Sequence, residues 1–154
     1  MRVDRGVLLA RLHDAFSRVT LEDGVGLLEA LEIDSHSAVN KISRAREADE
    51  SNDWKNLTPD RLKGAFASLA YFDAKGMRFH LPAFLAAELA EAIDEELLWY
   101  LCQVDGWAGE RFSLLSKDQK HVVCDIMSFL AAQPRYAGQS IMLGEAITKF
   151  WSQD

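Results

Sequence analysis

The 154-residue chain is poor in cysteine, in proline and in long apolar runs. Its two cysteines, Cys102 and Cys124, form no C-x-x-C pair, which removes the spacing of a zinc site or a dithiol redox centre. Both sit in apolar, helix-patterned surroundings and are expected to be buried thiols in a reducing compartment. No stretch approaches the ~20 apolar residues of a membrane span. The opening MRVDRGVLLARLHDAF is interrupted by Arg11 and Asp14, unlike the apolar core of a secretory leader, so a cytoplasmic location is the expectation. G-x-S-x-G, H-E-x-x-H and the Walker phosphate loop are all missing, which lowers the odds of an enzyme. No cofactor and no metal are expected.

One absence is local. From Glu88 to Glu110 the chain has no lysine and no arginine, but carries Glu88, Glu91, Asp94, Glu95, Glu96, Asp105 and Glu110. The net charge of the whole chain is −7, and this segment alone accounts for −7, because the flanking parts nearly balance. Such a segment repels phosphate backbones, which disfavours nucleic acid as a partner, and attracts a basic protein.

What is present is helical patterning. With 49% hydrophobic and 27% charged residues, a chain of this length buries enough surface to fold as one domain without disulfides. Leu8, Leu12, Ala15, Phe16 and Val19 mark a first helix from about Arg5 to Arg18. Thr20 with Asp23, then Ser35 or Ser37, are candidate starts for the next two. Arg46 to Asn56 is polar and reads as a surface loop pinned by Trp54. Thr58-Pro59 opens a helix through Leu62, Ala65, Phe66, Leu69 and Ala70, ending before Gly76. Pro82 suits the first turn of a long helix from 82 to 102, preceded by an extended link Met77–Leu81 in which Arg78 and His80 share one side. QVDGWAG at 103–109 reads as a turn around Trp107. Ser116 and Gln119 form a capping box for a helix to about Ala132, and a last helix runs from about Gln139 to Ser152. The expected fold is all-α: one domain over 1–154 with six to seven helices. A short extended segment or hairpin near 72–81 is the competing feature.

Three constellations carry possible chemistry. Glu88, Glu91 and Glu95 fall at i, i+3 and i+7 and would line one helix face. A carboxylate metal centre would need a Glu-x-x-His repeat from a second helix, and the nearest match is Asp118-x-x-His121. Like charges at this spacing cost helix stability, and most solvated faces mix signs, so a use in binding a partner is the sharper reading. His80 could act as a base, but no carboxylate or nucleophile stands in a definable relation to it, and a structural or surface role is the plainer expectation. Of the four tryptophans, Trp107 lies between glycines beside the acidic helix and is the candidate interface anchor.

Several of these residues recur in a family pattern. Ala15-Phe16, Trp54, Arg78-Phe79-His80-Leu81-Pro82-Ala83-Phe84 and Phe112-Ser113-Leu114-Leu115-Ser116-Lys117-Asp118-Gln119 resemble a bacterial domain family of unknown function. That family shows R-F-x-L-P-A-F/Y and a late F-x-x-L-[ST]-x-x-Q helix start. The resemblance spans roughly residues 5–132 and implies no catalytic residue. In size and acidity the chain is also similar, by analogy only, to the immunity proteins encoded beside bacterial toxins.

The expectation is therefore a non-enzymatic protein-binding module, of immunity type, that neutralises a basic toxin through Glu88, Glu91, Glu95, Asp105 and Trp107. One alternative is a small helical enzyme or small-molecule binder with a pocket near Arg78 and His80. Another is an adaptor that dimerises through an exposed Phe150 and Trp151.

Overall fold

The computed structural model describes residues 4–93 and 97–153. Among them there is no strand and all regular structure is helical: α1 Arg5–Ala15, α2 Leu27–Asp34, α3 Val39–Ala48, α4 Pro59–Leu62, α5 Phe66–Tyr71, α6 Ala74–Leu89, α7 Leu97–Leu101, α8 Gly106–Glu110, α9 Lys117–Ala131 and α10 Ser140–Ala146. Short 3-10 turns cover Trp54–Asn56 and Pro134–Gln139, and α10 runs on into a π turn, Ile147–Trp151. The all-α expectation holds, with more and shorter helices than the six or seven anticipated. In place of the competing hairpin near 72–81, Phe72 and Asp73 form a short extended link and the chain is helical from Ala74. No described helix is long and apolar enough to cross a membrane.

The apolar stripes fold as their spacing dictates. Leu8 and Leu12 of α1, with Phe16 just beyond it, are fully buried, as are Val123, Ile126 and Met127 of α9. These two helices pack on each other, and α1 also packs on α6. The capping box at Ser116 forms as read: Gln119 N–H donates to Ser116 Oγ at 3.1 Å and Ser116 N–H donates to Gln119 Oε1 at 2.9 Å. Gln119 Nε2 also donates to the Ala15 carbonyl at 3.1 Å, tying the start of α9 to the end of α1. Ser116→Ala is expected to lower stability by about 1 kcal/mol, read as a lower urea midpoint at unchanged slope. Trp54 pins its loop as expected: it is buried, its Nε1–H donates to the Phe16 carbonyl at 3.0 Å, and its ring meets His13 edge-on at 5.1 Å.

The start of α2 differs from its reading. Gly26 is the N-cap and Glu29 reaches back to the Gly26 N–H at 3.2 Å, so the chain from Thr20 to Val25 is a loop. The helix expected from Thr58 breaks into α4 and α5 around Gly64.

The main correction concerns α6. It begins at Ala74, not Pro82, and Pro82 lies in its interior. The residues read as an extended link, Met77–Leu81, are helical. The start signal is Asp73, whose carboxylate accepts from the Gly76 N–H at 2.8 Å, as an N-cap does. Gly76 does not end a helix; a Cβ there would lie 2.5 Å from the Val25 carbonyl oxygen, so the glycine allows the preceding loop to close on α6. An interior proline costs about 3 kcal/mol in an isolated helix. Here twelve of the sixteen α6 residues are buried, and that burial outweighs the local penalty. The helix also stops early. Glu91 takes a left-handed conformation (φ +54°) beyond Leu89, so the single helix expected over 82–102 is two, α6 and α7.

Candidate functional site

The acidic helix face does not assemble as drawn from the sequence. Glu88 is 1% exposed and its carboxylate accepts from the Tyr136 hydroxyl, so it is a core group and is closed to a partner. The physical reason is its neighbours: Leu85 and Leu89 flank it on a helix buried nearly all round. Glu91 is exposed but lies beyond the end of α6, where it pairs with Arg5 at 2.8 Å. Glu95 lies outside the described residues. Asp105 is exposed and accepts from Lys149 Nζ at 2.6 Å. Two of the segment's charges, Glu91 and Asp105, are thus met in space by cations from distant parts of the chain.

Trp107 lies on the short helix α8 and not in the turn read over 103–109. It is 75% exposed. Gly109, which helps set this helix, comes so close to the Val104 carbonyl that a Cβ would lie 2.2 Å from its oxygen. Behind the indole is Arg111, with its guanidinium carbon 6.0 Å from the Trp107 ring centre and 5.8 Å from that of Tyr100. Tyr100 in turn meets Trp99 edge-on at 5.0 Å. Trp99 is itself 48% exposed. Arg111 is buried and anchored by two backbone carbonyls: Nη1–H donates to Leu69 at 2.8 Å and Nε–H to Ala108 at 3.1 Å. Burial holds its pKa below the usual guanidinium range, partly offset by Tyr100. The result is a surface of two tryptophans and a tyrosine set around a fixed arginine, with Asp105 and Glu110 exposed at its edge. Tryptophan, tyrosine and arginine are the residues that dominate binding energies at protein interfaces.

Sequence reasoning singled out Trp107 but missed Trp99 and Arg111. The signal for Trp99 was available: Leu97, Leu98 and Leu101 form the inward stripe of α7, which leaves positions 99 and 100 facing away from it. Arg111 is the first cation after the basic-free segment, but its role depends on the Leu69 carbonyl, 42 residues away.

Arg78 and His80 do not share a site. Two positions along a helix are ~200° apart, and the residues point accordingly. His80 is fully buried and stacks on Phe72 at 4.2 Å, whereas Arg78 reaches outward to Glu22. Cys102 and Cys124 are free and half-buried, and burial pushes the Cys102 thiol up to about 11, away from nucleophilic chemistry. Phe150 and Trp151, which the adaptor alternative needs exposed, are turned inward: Trp151 is fully buried and Phe150 partly so. Among the described residues no cluster of three or more His, Cys, Asp or Glu is placed to hold a metal.

No curated protein and no solved structure matches the chain. A family match does exist, and it spans residues 4–154, so it takes in α1, the Arg78–Phe84 segment, the aromatic surface and the α9 capping box. The chain belongs to the Family of unknown function (DUF6714).

Proposed function

We propose that this protein is a non-enzymatic binding module that takes a basic protein partner through the surface formed by Trp99, Tyr100 and Trp107. The observation that carries this reading is the 75% exposure of Trp107 beside an arginine locked by two carbonyls. An indole kept in water forgoes roughly 2 kcal/mol or more of burial, and its rigid backing lowers the ordering cost of docking. The partner's sign follows from the aromatic faces, which attract lysine and arginine, and from exposed Glu110; Asp105 is exposed but already paired with Lys149. The finer reading is an immunity-type protein: a toxin that handles an anionic substrate presents a basic surface, and this patch would cover it. Glu91 would add at most to steering, since Arg5 already neutralises it.

The test is affinity capture from the native host with the tagged wild type and with Trp107→Ala, each at low and at ~0.5 M salt, where the screening length shrinks to roughly 4–5 Å. The expected result is one stoichiometric basic protein, weakened by salt and bound at least ~30-fold less tightly by Trp107→Ala. A partner held equally by both forms would remove this surface from the function. Absence of any partner at either salt would remove the binding-module reading.

A further inference from the structure

A second feature lies away from the aromatic surface. A cavity of about 410 Å³ is lined by the chain after α1, by Arg78 of α6 and by the start of α9. Arg18, Thr20, Glu22, Arg78, Ser116 and Gln119 contribute polar groups to its wall. The two segments that carried the family pattern in the sequence meet here, Arg78 from the first and Ser116 with Gln119 from the second.

Arg78 is the centre of this wall. Its Nη2 donates to the Glu22 carboxylate, while its Nε is buried and no protein atom accepts from it. Nε–H and Nη2–H form one edge of a guanidinium, with two parallel donors that match two oxygens of a single carboxylate or phosphate. Glu22 uses one of these donors. A buried donor without an acceptor is unfavourable. Glu22 is also held in a left-handed conformation (φ +55°) that is unfavourable for a residue other than glycine. The contact is therefore both incomplete and strained.

The rest of the wall suits the same class of ligand. Arg18 is exposed and supplies a second guanidinium. Thr20 and Ser116 supply hydroxyls, and Val19 and Leu114 supply apolar surface. With two arginines against one glutamate, the lining carries a net positive charge even in this acidic protein. The volume falls in the range of small-molecule pockets, above that needed by a bare ion.

We infer that this cavity binds a small organic oxyanion, a carboxylate or a phosphate monoester, which displaces Glu22 and takes both donors of the Arg78 edge, with Arg18 as the second cation. The site is separate from the aromatic surface and does not depend on the protein-partner reading.

The experiment follows the Arg78 Nε–Hε resonance in ¹⁵N-labelled protein during titration with inorganic phosphate and with acetate, against sodium chloride at matched ionic strength. Wild type and Glu22→Gly are compared, and each is also made with Arg18→Gln or Arg78→Gln. Glycine accepts the left-handed conformation and removes the competing carboxylate. The expected result is a saturable shift with one or both oxyanions, beyond that with chloride, and a dissociation constant at least about tenfold lower in Glu22→Gly. Arg18→Gln should weaken binding, and Arg78→Gln should abolish it, as read by the backbone resonances of Thr20 and Ser116. If phosphate and acetate both act only as chloride does in Glu22→Gly, the inference is overturned. Equal affinity with and without Arg18 and Arg78 overturns it as well. Arg18 is exposed and lies outside the core, so its variant remains informative if the Arg78 variant folds poorly.

Discussion

Trp151→Ala is expected to lower stability by about 3–5 kcal/mol, the range for removing a fully enclosed tryptophan. Trp151 is 0% exposed and heads the largest fully buried side chains. Its indole meets Phe112 and Phe150, each at 4.9 Å between ring centres. Its Nε1–H donates to the Leu101 carbonyl at 2.8 Å. The alanine variant would leave a cavity and also leave the Leu101 carbonyl at the end of α7 without its donor. Domains of this kind are stable by roughly 5–15 kcal/mol, so one substitution near the C-terminus would use a large share. Trp151→Phe separates the two contributions: it keeps most of the ring volume and is expected to cost about 1–2 kcal/mol, mainly for the carbonyl left unmet. Urea unfolding followed by far-UV circular dichroism measures both. A loss below ~1 kcal/mol for Trp151→Ala would mean that the π turn is peripheral to the cooperative unit. The consequence reaches the proposed interface, because Leu101 closes the helix that presents Trp99 and Tyr100. A looser α7 should weaken partner capture even though Trp151 touches no partner.

The contrast between Trp151 and Trp107 shows what the sequence could and could not reveal. Both are tryptophans near helix ends. Trp107 was legible because glycines on either side and an acidic run leave it no large apolar residue within two positions in sequence. Trp151 has Ile147 and Phe150 beside it, and the same pattern suits a core or a dimer face; only the Leu101 carbonyl and Phe112, from elsewhere in the chain, decide for the core. The elements whose packing follows their own periodicity, α1 and α9, were read correctly down to the capping box. α6 was misread because two local rules conflict there. Proline is disfavoured inside a helix, and aspartate starts one; burial of nearly the whole helix settled the matter, and burial is a property of the fold. The acidic helix face was misplaced for a related reason. Charges were summed along the chain, but Glu88 finds Tyr136 48 residues away and Glu91 finds Arg5 86 residues away. The Arg78 cavity was invisible for the same cause, since Glu22 and Arg78 are 56 residues apart.

His80 gives the largest expected dependence on pH. Its Nδ1–H donates to the Gly76 carbonyl at 2.6 Å, the ring lies flat on Phe72, and no protein atom reaches Nε2. Burial pushes its pKa down to about 4, against the weaker upward pull of the Gly76 carbonyl and the Asp73 charge. The folded protein therefore holds His80 neutral, while the unfolded chain protonates it near pH 6.5. Between these two values the unfolded state binds more protons, so stability rises with pH there. The contribution is complete above about pH 6.5, is lost as the pH falls, and levels off below about pH 4, a span of ~3 kcal/mol. At pH 4.5 about 2.5 kcal/mol of it should be gone. His80→Leu cannot titrate. At pH 7.5 it should lie within ~1 kcal/mol of the wild type, because the lost Nδ1–H bond is balanced by removal of a buried nitrogen without a partner. At pH 4.5 the variant should be the more stable protein by about 2 kcal/mol. Carboxylates titrate in the same range in both proteins, so the difference between the two stability curves isolates His80. Parallel curves from pH 7.5 to 4.5 would mean that the imidazole is charged in the folded core, and the neutral, stacked role assigned to it would have to be given up.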